Sequence, residues 1–183
     1  HDRHNPYRKA FQFTLLADPQ TVNAFALPGG PVFITQALYD AGEPTPILKA
    51  IWEVYRAGGV VAGSSAGAAI MSTTMFRDAE QVFNILANGA EDGKQIDRGL
   101  GFVGPAVFVD QHFLKRGRFG RMLPVMAQKQ YTLGVGVDED TAVVFRGDDI
   151  EVLGHKGALI VDLAEARSPG GKPFRIENAR LTY

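Results

Sequence analysis

A serine between small residues is the first feature of this sequence that could perform chemistry. Residues 63–67 read Gly-Ser-Ser-Ala-Gly, and they follow the short apolar run of residues 60–62. In the G-x-S-x-G pattern a strand turns sharply into a helix, and the turn exposes the hydroxyl of the central serine. Ser65 is therefore the candidate nucleophile. The alternative is that Ser64 or Ser65 only caps the following helix.

Attack of a serine on a carbonyl also requires donors for the oxyanion that forms. The amide of Ala66 follows Ser65 directly and is expected to point towards this charge. Gly29 or Gly30 is the candidate for the second amide. Losing one such donor typically costs about 2.7 to 4 kcal/mol of transition-state stabilisation.

The nucleophile needs a base, and the sequence contains four histidines, two of them within the first four residues. His112 ends an apolar run, residues 107–111, where α/β sheets place catalytic groups. His155 lies between two glycine-bounded strands, which is typical of an exposed turn. We therefore prefer His112 as the base. His155 with Glu139 stays as the alternative, because it gives the chain order serine, acid, histidine.

Three adjacent acids follow the apolar residues 133–137, and one of them could orient the histidine. They are Asp138, Glu139 and Asp140. The alternative is a solvated turn between strands. A third member of a triad holds the imidazole so that its other nitrogen can accept the serine proton. Spacing alone leaves Asp110, Asp138 and Glu139 open for this role.

The elements around these residues predict an α/β fold. Thr45 followed by Pro46 indicates a helix start, and apolar residues four apart continue to Tyr55 before two glycines. Residues 68–75 are predicted as a buried helix, and residues 32–38 fit either strand or helix. The predicted strands are residues 12–16, 60–62, 105–110, 133–137, 141–145, 150–153 and 158–161. We expect a mixed sheet that is parallel early and antiparallel late.

Composition excludes several function classes. The 183 residues suit one domain, and 19 basic against 20 acidic residues give a net charge of −1, so neither nucleic acid nor an anionic membrane is an expected partner. No apolar stretch approaches the roughly 20 residues of a membrane span. The absence of cysteine and of an HExxH motif argues against a zinc peptidase, and no metal or other cofactor is predicted.

The chain begins at His1, without methionine or a hydrophobic signal region. Residues 1–28 are therefore expected to be an atypical or truncated front. A cytoplasmic location is favoured, and secretion stays open because an export signal could have been removed with the front.

Three blocks together carry a family resemblance that extends from about Thr45 to Val161. They are residues 63–69, residues 110–113 with three arginines downstream, and residues 134–142. In this order they resemble the cyanophycinases and cyanophycinase-like serine peptidases, a family that includes aspartyl dipeptidases. The resemblance implies Ser65 as nucleophile, His112 as general base and Glu139 as the orienting acid. The glycine pair ending at Gly30 matches glycines that complete the oxyanion hole in the family.

The same resemblance implies a three-layer, flavodoxin-like fold similar to class I glutamine amidotransferases, in which a cysteine occupies the nucleophile elbow. It implies a single peptidase domain over residues 1–183 and a possible homodimer. It also implies that four side chains line the substrate site: Gln111, Arg116, Arg118 and Arg121.

Cyanophycin is a poly-aspartate backbone with an arginine joined to each side chain. Arginine side chains could bind its carboxylates bidentately, and Asp110, Asp138 or Asp140 could receive its guanidinium groups. The alternative for the basic run, residues 115–121, is a solvated helix face. The resulting hypothesis is a serine exopeptidase that releases β-Asp-Arg dipeptides from cyanophycin or a similar isopeptide. The alternatives are an aspartyl dipeptidase-like enzyme for small peptides and a non-catalytic peptide-binding relative.

Overall fold

The structure is a computed structural model, and it describes residues 22–27, 30–35, 46–77, 82–171 and 174–183. The described chain divides into two units, with the boundary between Gly67 and Ala68. The predicted strand at residues 12–16 and most of the atypical front lie outside the described residues. The expectation of a single peptidase domain stays a prediction.

The first unit contains a three-stranded antiparallel sheet in the order β2-β1-β3, and a helix. Its elements are β1 (Val22–Leu27), β2 (Gly30–Thr35), α1 (Pro46–Arg56) and β3 (Ala62–Gly63). The ambiguous residues 32–38 are therefore strand as far as Thr35. The predicted strand at residues 60–62 is shifted and short, because only Ala62 and Gly63 pair with β1.

Helix α1 has the bounds that its sequence predicted. It begins at Pro46, where the missing N–H is not needed by the first turn, and it ends at Arg56. Gly58 then adopts a φ of 93°, and the amide of Gly59 donates a hydrogen bond of 2.9 Å to the Val54 carbonyl. Glycine at position 58 thus lets the chain leave the helix while one of the last carbonyls stays paired.

The second unit contains most of the described elements. They are β4 (Thr74–Phe76), α3 (Val82–Asn88), β5 (Ile96–Arg98), β6 (Val107–Gln111), α4 (Phe119–Lys129), β7 (Leu133–Val137), β8 (Thr141–Arg146), β9 (Asp149–Gly154), β10 (Ala158–Asp162) and β11 (Arg180–Thr182). A four-residue helix, α2 (Ala66–Ala69), crosses the boundary between the units. No described helix has the length and apolar character needed to cross a membrane.

The main sheet of the second unit is mixed, in the order β11-β10-β7-β6. Strands β6 and β7 are parallel, whereas β10 pairs antiparallel with both β7 and β11. An α/β fold with a mixed sheet is therefore confirmed, as is its late antiparallel part. The early strands differ from the prediction, since the described strands before Ser65 pair only antiparallel.

The predicted buried helix over residues 68–75 is wrong after its first residues. Helix α2 ends at Ala69, and β4 begins at Thr74. Ser72 is fully buried, and its Oγ accepts a hydrogen bond of 2.6 Å from the Val109 amide on β6. Because Ser72 makes this contact with β6 and two threonines follow it, a turn and then the short strand β4 replace the helix that composition suggested.

The core of the second unit lies between the main sheet and α4. Its largest apolar members are Phe76, Ile85, Ile96, Phe108, Phe113, Met122, Val125, Met126, Tyr131 and Val161. Two glycines on β7 allow the close packing: a side chain at Gly134 would meet the sulfur atoms of Met126 and Met122, and one at Gly136 would overlap the Phe113 ring. Phe113 is therefore seated directly against the sheet, one residue after His112.

Candidate active site

The serine turn joins β3 to α2 in the first unit. Ser65 has a φ of 54°, in the left-handed region that residues other than glycine seldom adopt. The Gly67 amide donates a hydrogen bond of 2.9 Å to the Ser64 carbonyl and closes the turn, and Ser65 is exposed. A strained serine between a strand and a helix is the local geometry of a nucleophile elbow.

Gly63 is required for this turn because the backbone of Gly67 lies where a side chain would be. A Cβ atom at Gly63 would overlap the carbonyl group of Gly67. The glycine at the first position of the G-x-S-x-G pattern therefore serves a close approach of two backbone segments.

The two predicted oxyanion donors lie in different places. Ala66 begins α2 directly after Ser65. Gly30 pairs with Leu27 at one end of β1, whereas the chain from Ala62 to Ser65 runs antiparallel to β1, towards its other end. This register places Gly30 at the opposite end of β1 from the serine turn, and its role in the oxyanion hole stays a prediction. The other candidate, Gly29, lies outside the described residues.

His112 follows the last residue of β6 in the second unit, as its sequence position predicted. Its φ is 49°, so the chain turns sharply at this residue as it leaves the strand. The amide of Phe113 donates a hydrogen bond of 3.2 Å to the Val137 carbonyl at the end of β7. The buried ring of Phe113 and this bond together hold the histidine at the edge of the sheet.

Glu139 is the acid that contacts His112. The distance between His112 Nδ1 and Glu139 Oε1 is 2.8 Å, and both side chains are largely buried, with 24% and 21% of their surfaces exposed. A carboxylate can only accept, so Nδ1 carries the proton and Nε2 is left as an acceptor. Among the acids that spacing left open, the described structure brings Glu139 to the imidazole.

The surroundings of Glu139 keep it ionised. The hydrogen bond from His112, together with a backbone hydrogen bond, lowers the pKa of Glu139 from 4.5 to about 2, although desolvation acts in the opposite direction. Lys115 and Lys156 add positive charge, with Nζ atoms 3.8 Å from Oε1 and Oε2 respectively. Glu139 therefore carries a negative charge throughout the neutral range.

Asp138 and Asp140, the acids on either side of Glu139, form hydrogen bonds with backbone groups of other loops. Asp138 Oδ1 accepts hydrogen bonds from the amides of Leu114 and Lys115, at 2.9 and 3.3 Å, and so binds the loop that follows His112. Asp140 has a φ of 53°, and its carbonyl accepts a hydrogen bond of 2.9 Å from the His155 amide. The acidic turn is thus linked to two other loops of the second unit.

His155 lies in the loop between β9 and β10, and its residue surface is exposed as predicted. Its amide binds the acidic turn, while the carboxylate of Glu139 is engaged by His112. The geometry therefore favours His112 over His155 as the partner of Glu139.

The basic run separates into exposed and buried members. Arg116 is exposed, but Arg118 and Arg121 have only 4% and 1% of their surface exposed. Arg121 binds fully buried Asp110 with both ends of its guanidinium: Nε to Oδ2 at 2.8 Å and Nη2 to Oδ1 at 2.7 Å. This burial disagrees with a surface role in substrate binding for Asp110, Arg118 and Arg121, and equally with a solvated helix face.

Gln111, the fourth predicted substrate residue, is half-buried beside the histidine. Among the described residues no group donates a hydrogen bond to Gln111 Oε1, although this atom is buried. An unpaired buried acceptor is costly, so its place next to His112 is consistent with a donor supplied by a ligand.

Comparison with known proteins gives the family. The model of "Peptidase family S51" matches residues 28–153, which is more than half of the chain. The chain belongs to peptidase family S51. This confirms the cyanophycinase-like resemblance that the three sequence blocks carried.

Curated relatives of this S51 chain are named cyanophycinases. The one from Trichormus variabilis is 36% identical over 152 residues, which cover 75% of this chain and 47% of the relative. The one from Geminocystis herdmanii is 36% identical over 152 residues, with coverages of 75% and 52%. The one from Synechococcus elongatus is 32% identical over 182 residues, with coverages of 94% and 53%. The S51 chain thus spans about half the length of the curated relatives it matches.

Sequence reasoning missed the buried charges of this S51 chain and the loop contacts of Asp138. One signal for the first was available, because Asp110 lies in the apolar run of β6, and a charge buried there requires a partner. No comparable signal marks Asp138, since its partners are two backbone amides on a loop 23 and 24 residues away in sequence.

Proposed function

We propose that this S51 chain carries the catalytic site of a serine exopeptidase that hydrolyses cyanophycin, or a similar isopeptide, to β-Asp-Arg dipeptides. The observation that carries the proposal is the 2.8 Å contact between His112 Nδ1 and Glu139 Oε1. The left-handed φ of Ser65 supports the assignment of this residue as the nucleophile. The names of the relatives supply the substrate class.

In the proposed acylation, Glu139 holds the proton on His112 Nδ1, and Nε2 accepts the proton of the Ser65 hydroxyl. Ser65 Oγ then attacks the scissile carbonyl carbon, and the Ala66 amide donates a hydrogen bond to the resulting oxyanion. The tetrahedral intermediate collapses when His112 returns its proton to the leaving amine. The products of this half-reaction are a free amine and an ester on Ser65.

Deacylation reverses the roles of the same groups. His112 Nε2 accepts a proton from water, the resulting hydroxide adds to the ester carbonyl, and His112 then protonates Ser65 Oγ as it leaves. Since Glu139 remains ionised, it stabilises the imidazolium in both half-reactions without taking its proton. One water molecule is consumed for each bond hydrolysed.

Substrate recognition is assigned to the accessible members of the predicted set. Arg116 is exposed and close in sequence to His112, so its guanidinium is the candidate partner for a substrate carboxylate. Gln111 Oε1 is a buried acceptor without a described donor, and it suits an N–H group of the substrate. Because Asp110, Arg118 and Arg121 are buried, the proposal gives them no substrate contact.

The finer fold class is also proposed. A strand that enters a serine turn and a parallel pair of strands, β6 and β7, are features of the class I glutamine amidotransferase-like arrangement expected from the resemblance. An experimental structure that places Ser65 Oγ within hydrogen-bond reach of His112 Nε2 would support both this fold class and the triad.

The direct test is incubation of the protein with cyanophycin, followed by detection of released β-Asp-Arg. Wild type is expected to release the dipeptide, and Ser65→Ala to lose on the order of a million-fold in turnover. Polymer that stays unchanged at high enzyme concentration would overturn the substrate assignment. A panel of β-linked and α-linked aspartyl dipeptides then shows whether the same machinery serves small peptides instead.

A fluorophosphonate reagent tests the nucleophile without any peptide substrate. It should modify wild type much faster than Ser65→Ala, because only the elbow serine is activated by a base. His112→Ala should slow labelling, whereas His155→Ala should leave the rate unchanged. Equal labelling of wild type and Ser65→Ala would mean that the chain is a non-catalytic binding relative.

A further inference from the structure

Both backbone polar groups of Gln111, the residue before His112, are bound by charged side chains. The Gln111 amide donates a hydrogen bond of 2.8 Å to Asp110 Oδ1. The Gln111 carbonyl accepts a hydrogen bond of 2.7 Å from Arg118 Nη1. The two peptide units that precede the histidine are therefore held in place by side chains as well as by the sheet.

Arg118 also binds the other side of His112. Its backbone amide donates a hydrogen bond of 2.9 Å to the Phe113 carbonyl, which belongs to the residue after the histidine. One buried arginine thus contacts the chain immediately before and immediately after a residue whose φ is 49°. A left-handed conformation of a residue other than glycine persists only when its surroundings enforce it.

A buried ion pair holds this arginine. Asp110 Oδ1 lies 3.7 Å from Arg118 Nη1, and both Asp110 oxygens are bound by Arg121. The Arg121 guanidinium is itself packed 4.0 Å from the centre of the Phe76 ring. Because Arg121 is on α4 and Asp110 is on β6, the cluster ties the histidine turn to the core of the second unit.

We propose that Arg118, held by Asp110 and Arg121, is a positioning residue that keeps His112 in the conformation in which its imidazole meets Glu139. The inference rests on the proposed function for its effect on catalysis, but the conformation of His112 can be measured independently. Arg118 does not touch substrate in this account. Its guanidinium binds the Gln111 carbonyl before the histidine, and its backbone amide binds the Phe113 carbonyl after it.

This role differs from substrate recognition in its kinetic signature. Removing a substrate contact such as Arg116 weakens binding and raises KM. Removing a positioning residue moves the base, so it lowers kcat by a larger factor than it raises KM. A displacement of about 1 Å in a catalytic group can cost 100-fold in rate.

The experiment compares three arginine substitutions in the full chain. Arg118→Met removes the guanidinium but keeps an unbranched apolar stem, and it is expected to lower kcat roughly 10- to 100-fold with a smaller change in KM. It should slow fluorophosphonate labelling of Ser65 by a similar factor. Arg116→Met should raise KM and leave the labelling rate close to wild type. Arg146→Met, an exposed arginine paired with Glu151, controls for loss of charge and should change neither quantity.

A readout without chemistry uses the low-field ¹H NMR signal of His112 Nδ1–H, assigned by its loss in His112→Ala. Arg118→Met should shift or broaden this signal, and Arg146→Met should not. Should Arg118→Met fail to fold, Arg118→Lys keeps the charge but cannot reproduce the planar fork, and it is expected to show the same pattern more weakly.

An unchanged Nδ1–H signal and kcat in folded Arg118 variants, or a rise in KM alone, would overturn the positioning role. Failure of the proposed substrate gives a different result, since wild type would not cleave cyanophycin while the NMR comparison and the labelling rates still separate Arg118 from Arg146.

Discussion

Ser65 and His112, the proposed nucleophile and base, both have left-handed backbone conformations. Their φ values are 54° and 49°, and each such conformation costs about 1 to 3 kcal/mol relative to an ordinary one. The strain at Ser65 was predictable, because the G-x-S-x-G pattern implies a sharp turn. The strain at His112 was not, since no sequence pattern predicts the contacts that the buried Arg118 makes on either side of it.

The choice of the acid could not be made from the sequence for a related reason. Asp110 is near the end of β6, and Asp138 and Glu139 follow β7, so residue type and spacing do not distinguish these three acids. The structure separates them by environment: Asp110 faces buried arginines, Asp138 faces backbone amides, and Glu139 faces the imidazole. Long-range contacts decide the roles, whereas sequence position only restricts the candidates.

The first prediction concerns the titration of Glu139. Because His112 donates a hydrogen bond to this carboxylate, the pKa of Glu139 is lowered to about 2. A ¹³C NMR titration of its carboxyl carbon should show a midpoint near that value in wild type. In His112→Ala the midpoint should rise towards the ordinary 4.5. His155→Ala is the matched control and should leave the midpoint unchanged.

The same shift in pKa determines the pH dependence of stability. A carboxyl with a lowered pKa in the folded state stabilises the fold above its ordinary pKa of 4.5, and this contribution is lost as the pH falls through about 2. In urea unfolding, the advantage of wild type over Glu139→Gln should therefore be constant above pH 4.5 and shrink below it. An advantage that instead disappeared near neutral pH would contradict the lowered pKa.

At the scale of elements, the acidic turn between β7 and β8, residues 138–140, is held in place by hydrogen bonds to neighbouring loops. Asp138 binds the loop after His112, and the Asp138 amide donates a hydrogen bond of 3.3 Å to the Gly157 carbonyl before β10. The turn is thus bonded to two other loops of the second unit, the loop after His112 and the loop between β9 and β10. The backbone at Glu139 is therefore positioned by the contacts of Asp138, and its carboxylate by the hydrogen bond with His112.

The second prediction is that Asp138 keeps the loop after His112 in place. Asp138→Ala removes the acceptor for two backbone amides and should lower the free energy of unfolding by about 1 to 3 kcal/mol, measured by urea denaturation. Faster hydrogen exchange is expected at the Leu114 and Lys115 amides. Asp138→Asn retains an acceptor oxygen and should show a smaller loss. Equal exchange rates in Asp138→Ala and wild type would count against the contact.

The third prediction concerns the serine turn. Gly63→Ala places a methyl group on the Gly67 carbonyl, so the turn must open and Ser65 must move. Fluorophosphonate labelling of Ser65 should slow at least 10-fold, as expected for a displaced nucleophile. Gly104→Ala is the control: its φ of 94° makes the substitution strained, but the site has open space, so labelling should match wild type. A normal labelling rate in Gly63→Ala would show that the turn does not need this close approach.

Five strands of the second unit, β6 to β10, were predicted to within about two residues, because short apolar runs between turn residues define them. Residues 133–137 form β7 with the predicted bounds, whereas the three-residue strands β4, β5 and β11 were not predicted. The helix expected over residues 68–75 failed because its apolar composition fits either structure, and the contact from buried Ser72 to β6 decides the outcome.

At the scale of the molecule, the α/β fold, the serine turn and the candidates for the histidine–acid pair were predictable from one sequence, because short apolar runs and the G-x-S-x-G pattern mark them. The buried cluster of Asp110, Arg118 and Arg121 was not. Burial moves the pKa of Arg118 below its usual range, and the nearby Arg121 adds to this effect. Keeping these charges in the core therefore costs free energy of folding. Its retention in the core fits a role in fixing conformation.

The last prediction compares two free energies of unfolding: that of a variant in which one partner of the buried pair is removed, and that of a variant in which both are replaced by apolar residues. Arg121→Met removes both hydrogen bonds between the guanidinium and Asp110 and leaves this buried acid only the 3.7 Å contact with Arg118, so it should destabilise the protein by about 3 to 5 kcal/mol. Asp110→Leu combined with Arg121→Met removes both charges of the pair and should recover part of that loss, since apolar replacements of a buried pair are often nearly neutral and only Arg118 then lacks an acid. Urea unfolding measures both free energies, and Arg146→Met with Glu151→Leu provides a matched exposed pair in which the single and double changes should each stay below about 1 kcal/mol. If the double core variant regained stability while its His112 Nδ1–H signal stayed shifted, the pair would be retained for the conformation of the histidine. A double variant as unstable as Arg121→Met would instead mean that the ion pair itself stabilises the core.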